Sequence, residues 1–143
     1  MRISEVLRRK GDAVVTVRSD MSLGELVELL CEHRIGAAVV SDGGGAVTGI
    51  VSERDVVAAL RGSDGRPPEA ATVGEIMSTD VLTCSPSDET EQLARTMTER
   101  RVRHMPVVVD GRLAGIVSIG DIVKQRLDEL QAERDRLIDY VQS

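Results

Sequence analysis

With 143 residues and a net charge of −6, the chain fits one compact domain or two small halves sharing a core, and it lacks the basic surface that a phosphate backbone demands. Hydrophobic residues make up 41 %, which excludes a disordered chain, and with Phe and Trp absent and Tyr140 the single aromatic, the core is aliphatic and no base-stacking platform exists. Residues 1–5 carry no apolar leader and no run approaches membrane-spanning length, so a soluble cytoplasmic protein with neither nucleic acid nor membrane as partner is expected.

In chain order, Ile3, Val6 and Leu7 share one face of a short amphipathic helix ending near Gly11, and residues 13–17 read as a strand. Ser22 and Glu25 fit a capping box for the next helix, whose buried stripe is Leu23, Leu26, Val27 and Leu30. Residues 35–40 form a second strand, Asp42-Gly43-Gly44-Gly45 a hairpin turn, and residues 46–52 the return strand. A helix continues from Asp55 to Leu60, and the Gly, Ser, Asp and Pro of residues 62–68 mark a linker. The pattern then restarts with a short helix capped by Thr72, a strand at 81–84, and a helix opening at Pro86-Ser87-Asp88 that buries Leu93, Met97 and Ala94. A strand at 104–109, a tight turn at Asp110-Gly111 and a return strand at 113–118 follow. Cys31 and Cys84 have no metal-ligand spacing and read as inert buried thiols.

The restart is a repeat. Gly49-Ile50-Val51-Ser52-Glu53-Arg54-Asp55 and Gly115-Ile116-Val117-Ser118-Ile119-Gly120-Asp121 each hand a β-branched strand over to a helix through Ser-x-x-Asp. Thr16 and Thr83 lie 67 positions apart (83 − 16), and Ser52 and Ser118 lie 66 apart (118 − 52), the shorter second hairpin absorbing the difference. Two β-α-β-β-α units in a mixed α/β fold follow: residues 1–62 with the N-terminal helix, a linker over 63–72, and residues 73–143 with an extended last helix.

These two phrases, the Asp-Gly hairpins and the strand Arg103-His104-Met105-Pro106-Val107-Val108 resemble the CBS-domain family, specifically a tandem pair or Bateman module, over nearly the whole chain. The resemblance implies a pseudo-twofold pair whose two sheets pack together and leave two clefts, a homodimer of such pairs, and an adenosine-containing ligand such as AMP, ADP, ATP, NAD or S-adenosylmethionine; no cofactor is required, and Mg is an option only beside a polyphosphate. In the family the hydroxyl residue meets phosphate and the Asp holds ribose, which maps onto Ser52 with Asp55 and onto Ser118 with Asp121.

Physical chemistry allows that role and a plainer one. A helix start attracts an anion, a serine hydroxyl adds a donor, and a carboxylate accepts from vicinal hydroxyls. The same Ser-x-x-Asp is also a capping box that stabilises a helix by about 1 kcal/mol without any ligand. Arg103 and His104 stand where the first repeat has Gly36 and Ala37, so the second cleft offers cations to a phosphate while the first offers space for an adenine edge, and one occupied site is expected rather than two. The plainer reading leaves Arg103 and His104 at the surface. Thr16 and Thr83 either offer hydroxyls or simply suit strands, and Arg54 and Lys124 either add positive potential or face solvent. Ile35, Val102 and Ile119 are the aliphatic neighbours for adenine, and Pro106 lies in the same strand as His104.

The last helix runs from about Ile119 towards Val141. Val123, Leu127, Leu130, Arg134, Leu137 and Val141 follow alternating steps of four and three, a seam for either a dimer contact or docking on the module's own surface. No nucleophile–base pair or metal cluster can be built around His33 and His104, so a non-enzymatic regulatory module with an unnamed protein target is expected, the alternative being a structural or stress-response dimer that binds no small molecule.

Overall fold

The structure, a computed structural model, describes residues 1–62, 65 and 67–143. Its elements are α1 (Ile3–Lys10), β1 (Thr16–Val17), α2 (Leu23–His33), β2 (Ala37–Val40), β3 (Gly49–Ser52), α3 (Glu53–Arg61), α4 (Val73–Ile76), α5 (Thr90–Arg100), β4 (His104–Val109), β5 (Arg112–Ser118) and α6 (Ile119–Gln142). Part of the linker expected at 63–72, namely Ser63, Asp64 and Arg66, lies outside the described residues. In the first half β1 runs parallel to β2, and β2 antiparallel to β3; in the second, β4 and β5 form an antiparallel pair.

Equivalent backbone bonds recur in the two halves. Ser41 N–H donates to the Val17 carbonyl, and Val108 N–H to the Cys84 carbonyl, each at 2.9 Å. Arg34 and Arg101 end α2 and α5 in the left-handed region at φ 55° and 56°. Such a cap frees the chain to turn at once into a strand. The hairpins differ as their lengths require: Gly43, Gly44 and Gly45 all take positive φ in the first, Asp110 and Gly111 in the second.

Several elements are shorter than the sequence suggests. The strand expected at 13–17 is only Thr16–Val17, and that expected at 81–84 shrinks to a single bridge between Cys84 and Val107. Pro106 explains the second case. It accepts from Cys84 N–H at 3.0 Å but has no N–H to extend the parallel ladder past it. The return strand β3 starts at Gly49 rather than residue 46, while α3 already begins at Glu53. The helix expected from Pro86-Ser87-Asp88 begins at Thr90, because Asp88 closes a turn by accepting from Ser85 N–H at 2.8 Å. Thr72 precedes α4 without a side-chain cap bond. Val27 is 39 % exposed, so the buried arc of α2 narrows to Leu23, Leu26 and Leu30. Cys31 is exposed, contrary to expectation, whereas Cys84 is buried and its thiol is pushed up to about 12 by burial and by nearby Asp88.

Packing exchanges the leading helices. Ile3 and Val6 of α1 sit in the core of the second half with Leu93, Met97, Met105, Val107 and Val117. Val73 of α4 sits in the core of the first half with Leu23, Leu26, Val40 and Val51. Backbone bonds fix both: Ile3 N–H donates to Asp88 at 2.9 Å, and Val73 N–H to Met21 at 2.8 Å. Each half thus receives into its core the short helix that precedes the other repeat. The exchange also explains the glycine that opens each repeated phrase. A Cβ on Gly49 would lie 2.7 Å from the Met77 sulfur, and one on Gly115 would lie 2.8 Å from a Leu7 methyl.

Candidate functional site

Strand meets helix with no loop between them. β3 ends at Ser52 and α3 begins at Glu53; β5 ends at Ser118 and α6 begins at Ile119. Each serine keeps extended backbone, as an N-cap must. Register sets Ala37 opposite Ser52 and His104 opposite Ser118. The Glu53 and Ile119 N–H groups donate to the carbonyls of Gly36 and Arg103, each at 2.9 Å. The sequence thus builds two equivalent corners, holding Gly36, Ala37, Ser52 and Asp55 in one and Arg103, His104, Ser118, Ile119 and Asp121 in the other.

The corners differ in where protons go. At the first, Ser52 donates to Asp55 Oδ2 twice, from its N–H at 2.8 Å and from its hydroxyl at 3.2 Å. At the second, Ser118 N–H donates to Asp121 Oδ2 at 2.9 Å, while Asp121 N–H donates to the Ser118 hydroxyl at 3.0 Å. Both corners are reciprocal capping boxes, and the Ser52 hydroxyl bond to Asp55 is the contact that the second corner lacks. In both carboxylates the bonds fall on Oδ2, and no described residue bonds Oδ1. Capping and ligand contact therefore do not compete. The Ser118 hydroxyl proton is also unspent, whereas that of Ser52 is given to Asp55.

Sequence reasoning missed Lys10, which lies 111 residues from Asp121 and belongs to no motif. From the last turn of α1 its ammonium donates to Asp121 Oδ2 at 2.6 Å and to the Ile116 carbonyl at 2.9 Å. Burial alone would raise the Asp121 carboxyl; the hydrogen bonds from Lys10 and from Ser118, with the Lys10 charge, hold it below the ordinary carboxylate range. Glu53 was missed too: its carboxylate lies over Gly36, where a Cβ would come within 2.9 Å of Oε1.

His104 lies between these charges. Burial pushes its imidazole below the ordinary 6.5, Lys10 and Arg103 push the same way, and Asp121 and Glu53 oppose them. A lowered folded-state value means that the unfolded chain binds the proton more tightly. The His104 contribution is therefore complete above the ordinary value and is lost as pH falls through 6.5 towards the folded value. Urea unfolding at pH 7.5, 6.5 and 5.5 should show stability declining less in His104→Gln than in the unsubstituted chain. Equal declines would contradict this environment.

Other expected residues lie apart from the corners or serve packing. Pro106 is buried within β4, and Ile35, Val102 and Ile119 pack partly against the two cores. Thr16 is exposed on β1, as are Arg54 on α3 and Lys124 on α6. Thr83 lines a separate depression of about 200 Å³ with Leu82, Asp88, Gln92, Leu93, Thr96 and Met105. Among the described residues no group of three or more His, Cys, Asp or Glu is placed to hold a metal ion.

The family profile described as CBS domain matches twice, over residues 3–62 and 73–128. The chain belongs to the CBS domain family. As a CBS pair it is 32 % identical over 148 residues to the mitochondrial CBS domain-containing protein CBSX3 of Arabidopsis thaliana, covering 98 % of this chain and 71 % of that one. It is similar to the crystal structure of the CBS-domain containing protein ATU1752 from Agrobacterium tumefaciens, at 46 % identity and TM-score 0.83, over 88 % of this chain and 99 % of that one. The CBS domain pair of protein MJ0100, solved in complex with 5′-methylthioadenosine and S-adenosyl-L-methionine, is 25 % identical with TM-score 0.79, over 90 % of this chain and 98 % of that one. No helix among the described residues of this CBS pair is long and apolar enough to cross a membrane.

Proposed function

We propose that this CBS pair is a cytoplasmic, non-enzymatic regulatory module. It binds one adenosine-containing ligand (AMP, ADP, ATP, NAD or S-adenosylmethionine) in the cleft at the Ser118–Asp121 corner and signals to a protein target as a homodimer. The observation that carries the reading is the corner's unspent bonding capacity: Asp121 Oδ1 for ribose hydroxyls and the Ser118 hydroxyl proton for a phosphate, beside Arg103 and His104. The MJ0100 pair with its two adenosine ligands supports the ligand class. At the first corner Glu53 overlies Gly36 and the Ser52 proton is spent, which favours one occupied site over two. Because Lys10 of α1 holds the same carboxylate, a ligand there acts on the exchanged helix as well as on the corner. The bound state shifts the module only by its difference in affinity for two conformations.

Thermal unfolding against AMP, ADP, ATP, NAD, S-adenosylmethionine and 5′-methylthioadenosine tests this. A ligand at a hundred times its dissociation constant adds about 2.7 kcal/mol, a rise in midpoint of several degrees for a chain of this size. No rise with any of the six, in a folded protein, would leave the capping bonds as the whole role of both motifs.

A further inference from the structure

The family profile ends at residue 128, yet α6 continues to Gln142, and residues 131–143 are exposed without exception. The extension does not dock on the module's own surface. Val123, Leu127, Leu130, Leu137 and Val141 are all exposed, and their steps of four and three keep them on one face of the helix.

We infer that this seam is covered by the same helix of a second copy of the chain, running antiparallel. The order of residues carries the argument. Read from either end, the seam is Val, then Leu four residues on, then a position three further, and then the same positions in reverse. A twofold axis across the middle of the seam sets Val123 against Val141 of the second copy, Leu127 against its Leu137 and Leu130 against its Arg134, and each contact occurs twice. A parallel pair would instead stack Arg134 on Arg134 in one layer, two like charges without compensation. Charge also favours the antiparallel arrangement. Arg134 lays its methylenes on Leu130 of the second copy, and Arg136 falls level with the second copy's Asp128, which also pairs with Arg9 of its own chain at 3.6 Å. Within one chain Arg134 makes only a 3.5 Å contact with its neighbour Asp135. This surface is independent of the ligand reading.

Sedimentation of the full chain tests it. The unsubstituted chain should be a dimer, and the double variant Leu130→Glu with Leu137→Glu, both exposed positions on a helix, should dissociate about 100-fold or more readily with its circular dichroism unchanged. A monomeric unsubstituted chain, or a double variant that stays dimeric through another face such as that of Val57 and Leu60, overturns the proposal. Orientation is read in a Cys31→Ser background, where buried Cys84 is inert. Mixing Leu127→Cys with Leu137→Cys should give a disulfide-linked pair on oxidation, and neither should link alone. A link in either variant alone, or none in the mixture, overturns the antiparallel pairing.

Discussion

Ile3→Ala is expected to lower stability by about 2–5 kcal/mol, moving the thermal midpoint by on the order of 10 °C. Ile3 stands at the start of the chain, in an eight-residue helix that would be marginal alone, yet it is wholly buried. Its neighbours are Leu93, Met97, Met105 and Val117, so the deletion opens a cavity in the second half rather than the first. Hydrogen exchange should therefore show β4 and β5 losing protection first in Ile3→Ala. β2 and β3 should lose it first in Val73→Ala, the matching position on α4. A cost under about 0.5 kcal/mol, the range of ordinary surface substitutions, would contradict the exchange of helices.

The two glycines that open the repeated phrases give the second large effect, and it should be unequal. At Gly49 a Cβ would meet the Ser78 carbonyl oxygen at 2.8 Å as well as the Met77 sulfur at 2.7 Å. That carbonyl already accepts from Ile50 N–H, and Ser78 N–H returns a bond to Ile50, both at 2.9 Å. Backbone held from two sides cannot step back, so Gly49→Ala should cost about 2–3 kcal/mol. At Gly115 the neighbours are the Leu7 side-chain carbons, at 2.8 and 3.1 Å for the methyls, and a leucine end can turn aside. Both substitutions also gain about 0.4–1 kcal/mol by restricting the unfolded chain, so Gly115→Ala should lie near neutral. Urea unfolding of the two variants checks this; equal losses would mean that Leu7 is held as rigidly as the Ser78 backbone.

Most of the fold is legible in the sequence because it is written twice. The 67-residue spacing between equivalent positions reappears as matched bonds, Val17 with Ser41 and Cys84 with Val108. Ser52, Asp55, Ser118 and Asp121 stand at the strand-to-helix corners that their motif specifies. What the sequence does not show is long-range. Nothing local to Ile3 or Val73 says that each packs in the opposite half, and nothing near Lys10 points to Asp121 on another helix. The strand at 81–84 is overread because β-branched residues report extended backbone, whereas pairing depends on the partner, and Pro106 withholds the donor. The division between cap and ligand site is also misleading when drawn from residue types alone, since it resolves only once bonds are assigned to Oδ2 and Oδ1 separately.

The most direct test is a calorimetric titration with the ligand that gives the largest thermal shift, into the unsubstituted chain, Asp55→Ala and Asp121→Ala, each checked for folding by circular dichroism. Hydrogen bonds to a charged group contribute about 1.5–3 kcal/mol, so Asp121→Ala should weaken binding about 10- to 100-fold, while Asp55→Ala binds as the unsubstituted chain does. Undiminished binding by Asp121→Ala, or a loss confined to Asp55→Ala, would contradict the assignment of the ligand to the second corner.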